Sequence, residues 1–196
     1  MMDVAIIESG GANFASIQAA LLRAGATSVV TSDVKVMRAA SHVILPGVGS
    51  AAYAMQTLRD RRWIDTIRSF TQPVLGICLG HQLLCADSEE GQVTCLGIIP
   101  IRVKRITAAR VIPHMGWNDI VLQRVSPLLE EQATLNDFYF VHSYAAEISA
   151  QYTVASCKYG DSFSAVIQKD NFYGVQFHPE KSGEAGLTLL QKFVRL

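Results

Sequence analysis

No stretch of this 196-residue chain approaches the ~20 consecutive apolar residues that a membrane span needs, so a membrane role is not expected. Charge of one sign is scarce as well: 17 basic residues balance 17 acidic ones, for a formal net charge of +0. That balance provides no electrostatic footprint for nucleic acid or an anionic membrane. A small polar substrate or a protein partner suits the chain better. Cysteine is sparse too. Cys78, Cys85, Cys95 and Cys157 form no CxxC pair, which excludes the usual zinc and disulfide frameworks; no metal is expected. They read as reduced thiols of a cytoplasmic protein. Met1-Met2-Asp3 puts no basic segment ahead of the first apolar run, so no secretory leader is expected. Repeats, low-complexity tracts and linkers are all missing. With 49% hydrophobic and 17% charged residues, the chain reads as one ordered domain over residues 1–196.

What is present alternates. Val4-Ala5-Ile6-Ile7 is a short apolar run, as in a strand buried on both faces, and Ser9-Gly10-Gly11 follows as a turn. Phe14, Ile17 and Leu21 recur at helical spacing, with Gly25 placed to stop the helix. Val29-Val30 gives a second strand, and Ser32 or Asp33 can cap a short helix through Met37 to Ala40. His42 to Leu45 is a third strand, broken by Pro46-Gly47-Val48-Gly49. A helical region spans about 51–70, and Pro73 to Ile77 is a fourth strand. Such alternation predicts parallel strands joined by crossover helices, an α/β fold. The second half predicts further strands at Ile98–Ile106, Ile120–Leu122, Phe138–Tyr144, Tyr152–Ser156, Ser164–Gln168 and Phe172–Phe177. The last two flank a hairpin turn at Lys169-Asp170-Asn171. A final helix carries Leu187, Leu190 and Val194 on one stripe.

The strongest chemical signal is Gly76-Ile77-Cys78-Leu79-Gly80, where a buried strand meets a helix predicted over Leu79 to Ala86. Small residues flanking a nucleophile permit a tight, strained turn that exposes its side chain. Free amides at the helix start favour a thiolate there, and the Leu79 amide is placed as an oxyanion donor. A thiolate needs a proton-transfer partner, and five histidines are on offer. His42 reads as core, His81 points away on the elbow helix, and His114 belongs to a Pro-His-Met-Gly-Trp loop of no evident role. His178 is the best candidate, because Glu180 lies two residues on and, in an extended segment, points the same way. Pro46 to Gly49 can bring backbone amides to a developing oxyanion at the carboxyl end of a strand. Each motif also has a bland reading: a packed cysteine, a polar strand end, a plain turn.

GICLGHQLL (76–84) with VQFHPE (175–180) resembles the class I, or triad, glutamine amidotransferases. The resemblance implies a flavodoxin-like, mainly parallel sheet flanked by helices, with added antiparallel strands in the C-terminal half. It implies that Cys78 attacks the glutamine side-chain amide, and that His178, oriented by Glu180, protonates departing ammonia and activates water. Val48 and Leu79 would supply the oxyanion hole, with Gly49, Gln82, Ser143 and Tyr144 as substrate-binding positions. No cofactor is implied. LPGVG (45–49), PHMGWN (113–118), YFVHSY (139–144) and FYGVQFHPEKSG (172–183) resemble the glutaminase subunits of imidazole glycerol phosphate synthase. That subfamily implies a cyclase partner with a (β/α)8 barrel and a heterodimer that channels ammonia. Met115, Trp117 and Asn118 would lie at the interface, with Asn13 and Lys181 near the ammonia exit. It also implies a Val48 amide that turns inward when the partner activates the site. One position departs: His81 stands where this subfamily commonly has methionine.

Three other readings remain open. One is an intracellular peptidase or deglycase with a cysteine elbow, which usually lacks the distant His-Pro-Glu. A second is a protein that binds and regulates a synthase without turnover. The third keeps the chemistry and changes the acceptor to anthranilate or carbamoyl phosphate synthesis.

Overall fold

The computed structural model describes residues 3–10, 12–109, 111–129 and 137–196. Its first half alternates as the periodicity predicts: β1 (Asp3–Ile7), α1 (Phe14–Arg23), β2 (Thr27–Thr31), α2 (Val34–Ala39), β3 (His42–Gly47), α3 (Ala51–Asp60), α4 (Ile64–Arg68), β4 (Val74–Cys78) and α5 (Leu79–Leu84). Side chains cap three of these helices. Asn13 accepts from the Ser16 amide, Asp33 from Lys35 and Ser50 from Tyr53. The second half is mostly strand: β5 (Asp87–Ser88), β6 (Val93–Thr94), β7 (Arg102–Arg105), β8 (His114–Asp119), β9 (Val121–Leu122), β10 (Asp137–His142), β11 (Tyr144–Ala146), β12 (Thr153–Tyr159), β13 (Asp161–Lys169) and β14 (Phe172–Val175). A 3-10 turn (Pro179–Lys181) and α6 (Gly183–Phe193) follow.

Five strands run parallel in the order β2-β1-β3-β4-β14. With β14 counted fifth, this is the flavodoxin-like order. Beyond β14 the sheet continues through antiparallel β13, β11 and β7, and β8 pairs with β10 in a separate two-stranded ribbon. Neighbouring core residues alternate between the two faces, as strand geometry requires. Ile6 and Ile44 pack with α1, α6 and the ribbon, whereas Ile7 and Leu45 pack with α3, α4 and α5.

Several boundaries differ from expectation. Pro46 and Gly47 belong to β3, paired with Ile77 and Cys78, so only Val48 and Gly49 lie beyond the strand. The helical region at 51–70 breaks between α3 and α4, where Arg62 takes φ 57°. Of the strand expected from Ile98 to Ile106, only Arg102–Arg105 forms. The segment around His114, expected to be a loop, is strand β8. Polar His114 is buried while apolar Met115 and Trp117 are exposed, which runs against the alternation that marks a strand. The α6 stripe is present and broader than expected: Leu190 and Val194 are buried and Leu187 partly so, with Ala185, Leu189 and Phe193 buried beside them. The turn expected after β1 includes Gly11, which lies outside the described residues. The Lys169–Asn171 hairpin is present, with Asp170 at φ 52° between β13 and β14.

The close approach of α5 to β3 generates a stability prediction. A Cβ on Gly80 would sit 1.8 Å from the Leu45 carbonyl oxygen, a backbone atom held in the sheet. Gly80→Ala therefore costs about 3 kcal/mol or more, lowering the melting temperature by about 6–12 °C. A melt within about 2 °C of the parent would overturn this account of the elbow.

Candidate active site

The elbow is built by sterics. Cys78 ends β4 and takes φ 55° and ψ −107°, a region that non-glycine residues rarely adopt. Its neighbours leave no room for side chains: a Cβ on Gly76 would lie 2.6 Å from the Gly80 carbonyl oxygen. The thiol consequently projects from the carboxyl edge of the parallel sheet while remaining 8% exposed. Cys78 Sγ lies 3.8 Å from the Val141 carbonyl oxygen and 3.9 Å from Gln176 Nε2.

His178 follows β14 and is anchored from several sides. Its amide donates to the Tyr139 carbonyl at 2.9 Å, and its own carbonyl accepts from Ser182 Oγ at 2.6 Å. Ser182 Oγ in turn accepts from the Tyr139 amide at 3.0 Å. Glu180 Oε1 lies 2.9 Å from His178 Nδ1, as the His-x-Glu spacing predicts, but by a different route. The segment is not extended: Pro179–Lys181 forms the 3-10 turn, and the turn folds the carboxylate back onto the ring. Among the described residues His178 Nε2 has no conventional hydrogen-bond partner, which leaves it free to exchange a proton. Burial alone would lower the basicity of this imidazole. The neighbouring Cys78 and the hydrogen-bonded Glu180 outweigh it and raise the pKa to about 10.

A cavity of about 410 Å³ opens at this edge. It gathers Cys78, His178, Val48, Gly49, Leu79, Gln82, Ser143, Tyr144 and Lys181, all of them candidates from the sequence. Glu180 sits behind His178, with its side chain 3% exposed. Gln82 Nε2 donates to the Tyr144 carbonyl at 2.8 Å and to Gln176 Oε1 at 3.0 Å, so its amide ties the elbow helix to the cavity wall. Glu90, Pro113, Val141 and His142 also line the cavity, and sequence reasoning passes over them, as it does Gln176. Glu90 has a local role as well: its Oε2 accepts from the Ala51 amide at 2.8 Å, at the start of α3. Among the described residues, no group of three or more His, Cys, Asp or Glu side chains could hold a metal ion.

The remaining candidates lie away from the cavity or at its edge. Asn13 caps α1. Met115 and Trp117 are 62% and 55% exposed on one face of β8, so Trp117 is not core. Asn118 sits on the opposite face, its Nδ2 3.2 Å from His114 Nε2. Lys181 Nζ stands 5.8 Å above the Tyr139 ring, at the cavity rim. His81 is fully buried, and burial pushes its pKa down to about 4, so it is neutral and remote from proton transfer.

The raised His178 pKa sets a pH dependence. Stabilisation from pairing the imidazolium is fully present below its ordinary value of 6.5 and is lost as pH rises through about 10. Histidine-labelled protein should therefore show His178 protonated at pH 8 by NMR. Glu180→Gln and Cys78→Ser should each move its titration to lower pH. An unchanged titration in both variants would refute the pairing.

The glutamine amidotransferase class-I family model matches residues 5–196. The imidazole glycerol phosphate synthase subunit HisH of Idiomarina loihiensis is 44% identical over 196 residues, covering 100% of this chain and 98% of the relative. The corresponding protein of Yersinia pseudotuberculosis is 47% identical over the full length of both chains. Among solved structures, a chain of PurLQS from Thermotoga maritima superimposes with a TM-score of 0.73 at 16% identity, covering 99% of this chain and 98% of that one. At that identity the likeness concerns the fold alone. Sequence match and fold agree, and the chain belongs to the class-I glutamine amidotransferase family.

Proposed function

We propose that this chain is the glutaminase subunit of an imidazole glycerol phosphate synthase, hydrolysing glutamine to glutamate and ammonia in histidine biosynthesis. The observation that carries the reading is Cys78 held at φ 55° on the same cavity as His178, whose Nδ1 lies 2.9 Å from Glu180 Oε1. The subfamily assignment rests on relatives named HisH that align end to end.

In this reading the Cys78 thiolate attacks the side-chain carbonyl carbon of glutamine. Charge gathers on the amide oxygen, which the backbone amides of Val48 and Leu79 receive. His178 Nε2 gives its proton to the departing nitrogen, releasing ammonia and leaving a thioester on Cys78. The neutral ring then takes a proton from water, whose oxygen attacks the thioester carbon, and glutamate leaves as the thiolate returns. Glu180 holds Nδ1–H throughout and stabilises the cation without taking its proton. Gly49, Gln82, Ser143 and Tyr144 shape the pocket for the amino-acid portion. The chain's own groups and water supply each step, and no cofactor is called for.

The ammonia acceptor is a cyclase subunit with a (β/α)8 barrel, docked as a heterodimer in the cytoplasm. No described helix is long and apolar enough to cross a membrane. Met115 and Trp117 offer the cyclase an exposed apolar face, with Lys181 at the cavity rim, Asn13 on the α1 side and Asn118 behind the face. All of residues 1–196 act as one domain. Val48, beyond the end of β3 and 45% exposed, is the point at which docking completes the oxyanion hole.

Glutamine turnover is thus expected to be slow in the free chain and stimulated by nucleotide-loaded cyclase. In the complex, Cys78→Ala should abolish glutamate release and His178→Ala should lower kcat by ~10²–10⁴. Release of glutamate by Cys78→Ala at the parent rate would end the catalytic reading. Equal turnover with and without the cyclase would remove the gating role of Val48.

A further inference from the structure

Two buried histidines take no part in the proton transfers above, yet their hydrogen bonds form one directional chain. His142 ends β10, and its Nδ1 lies 2.9 Å from the Tyr144 carbonyl oxygen. A carbonyl only accepts, so Nδ1 carries the proton. In a neutral ring Nε2 is then an acceptor, and it lies 3.0 Å from His114 Nδ1, which must donate. His114 Nε2 accepts in turn from Asn118 Nδ2 at 3.2 Å, and that amide also donates to the Lys158 carbonyl at 3.2 Å. Asn118 Oδ1 accepts from the Asp119 amide at 2.9 Å, which fixes the orientation of the side chain. Every ring nitrogen has one role, and a single arrangement of protons satisfies them all. Burial keeps both rings neutral, with pKa values near 4 for His114 and near 3 for His142. The His114 ring is also clamped by stacking on Tyr159 at 4.0 Å and Phe140 at 4.8 Å.

The other end of the chain reaches the nucleophile. The Tyr144 carbonyl that His142 holds also accepts from Gln82 Nε2; Gln82 donates to Gln176, whose Nε2 lies 3.9 Å from Cys78 Sγ. Ser143, between His142 and Tyr144, is where the chain passes from the β8–β10 ribbon into the main sheet, and it lines the cavity. We infer that His114 and His142 are positioning residues for glutamine hydrolysis: their relay fixes the Tyr144 carbonyl and the wall at Ser143, and through Gln82 and Gln176 the Cys78 thiol. The inference rests on the glutaminase reading. Displacing a reacting group by about 1 Å can cost ~10²-fold in rate, so the relay should act on turnover more than on affinity.

The test uses the full chain in complex with its cyclase. His114→Phe keeps an aromatic ring in the stack and removes the donor, whereas His114→Asn restores an amide donor near the Nδ1 position. His114→Phe should lower glutaminase kcat by about 10- to 100-fold with KM within about threefold, and His114→Asn should recover part of the loss. Nitrogen NMR of histidine-labelled protein should show His142 as the Nδ1–H tautomer, with its Nε2 resonance shifted in His114→Phe. If His114→Phe does not fold, Asn118→Leu cuts the relay at its outer end, and the same kcat loss is expected. Turnover within about twofold of the parent, an Nε2–H tautomer at His142, or no recovery in His114→Asn would each overturn the inference. An inactive wild-type complex would instead sink the glutaminase reading, and the tautomer measurement would still decide whether the relay exists.

Discussion

Gly80 lies so close to β3 that a methyl group would collide with the Leu45 carbonyl, and the site follows from that contact. A helix that starts immediately after a strand must turn back over the sheet within one residue. Here that residue is Cys78, and its positive φ is the conformation that lets α5 lie against β3 and β4. Holding a non-glycine residue there costs of order 1–3 kcal/mol. Burial of Leu79, Leu83 and Leu84 on the α5 side of the sheet opposes that cost, because leaving the elbow would strip their contacts. The thiol is therefore placed by packing behind it.

The same burial sorts the histidines. His42, His81, His114 and His142 all have their pKa lowered by desolvation, with no carboxylate among the described residues to offset it. His178 is buried too, yet moves the opposite way, because Glu180 and Cys78 flank it. Among the five histidines, one has its pKa raised by its neighbours Cys78 and Glu180. The reaction in the proposed mechanism needs that asymmetry: a proton donor beside the thiolate, with no second imidazolium drawing the negative charge elsewhere.

Legibility in the sequence followed the reach of each signal. The parallel half was readable because β1, β3 and β4 are buried on both faces and α1, α2 and α3 carry local caps. The elbow and His-Pro-Glu were readable because each packs its chemistry into a few residues. Glu180 reaches His178 as the spacing suggests, although a 3-10 turn and not strand parity brings it there. What escaped depends on distant partners. Gln176 looks like any polar residue in a strand until β14 is set beside β4, and Glu90 gains meaning only beside the start of α3. Strand β8 escaped for a different reason. Periodicity assumes apolar residues inside and polar residues outside, and β8 breaks both with His114 inside and Met115 and Trp117 outside.

That reversal has a physical consequence for how the two halves of the site are joined. An isolated ribbon of two strands is marginal in water unless one face is packed. Polar side chains can fill the inner face of β8 only if their hydrogen bonds close, because a buried unsatisfied donor or acceptor costs about 1–3 kcal/mol. His114 and Asn118 meet that condition through His142 and the Lys158 carbonyl, while Phe140 and Tyr159 cover the ring faces. With polar groups inside, the apolar Met115 and Trp117 are left on the outer face. One strand thus carries an apolar surface suited to a partner and an inner hydrogen-bond network continuous with the cavity wall, and a change of register in β8 would disturb both together.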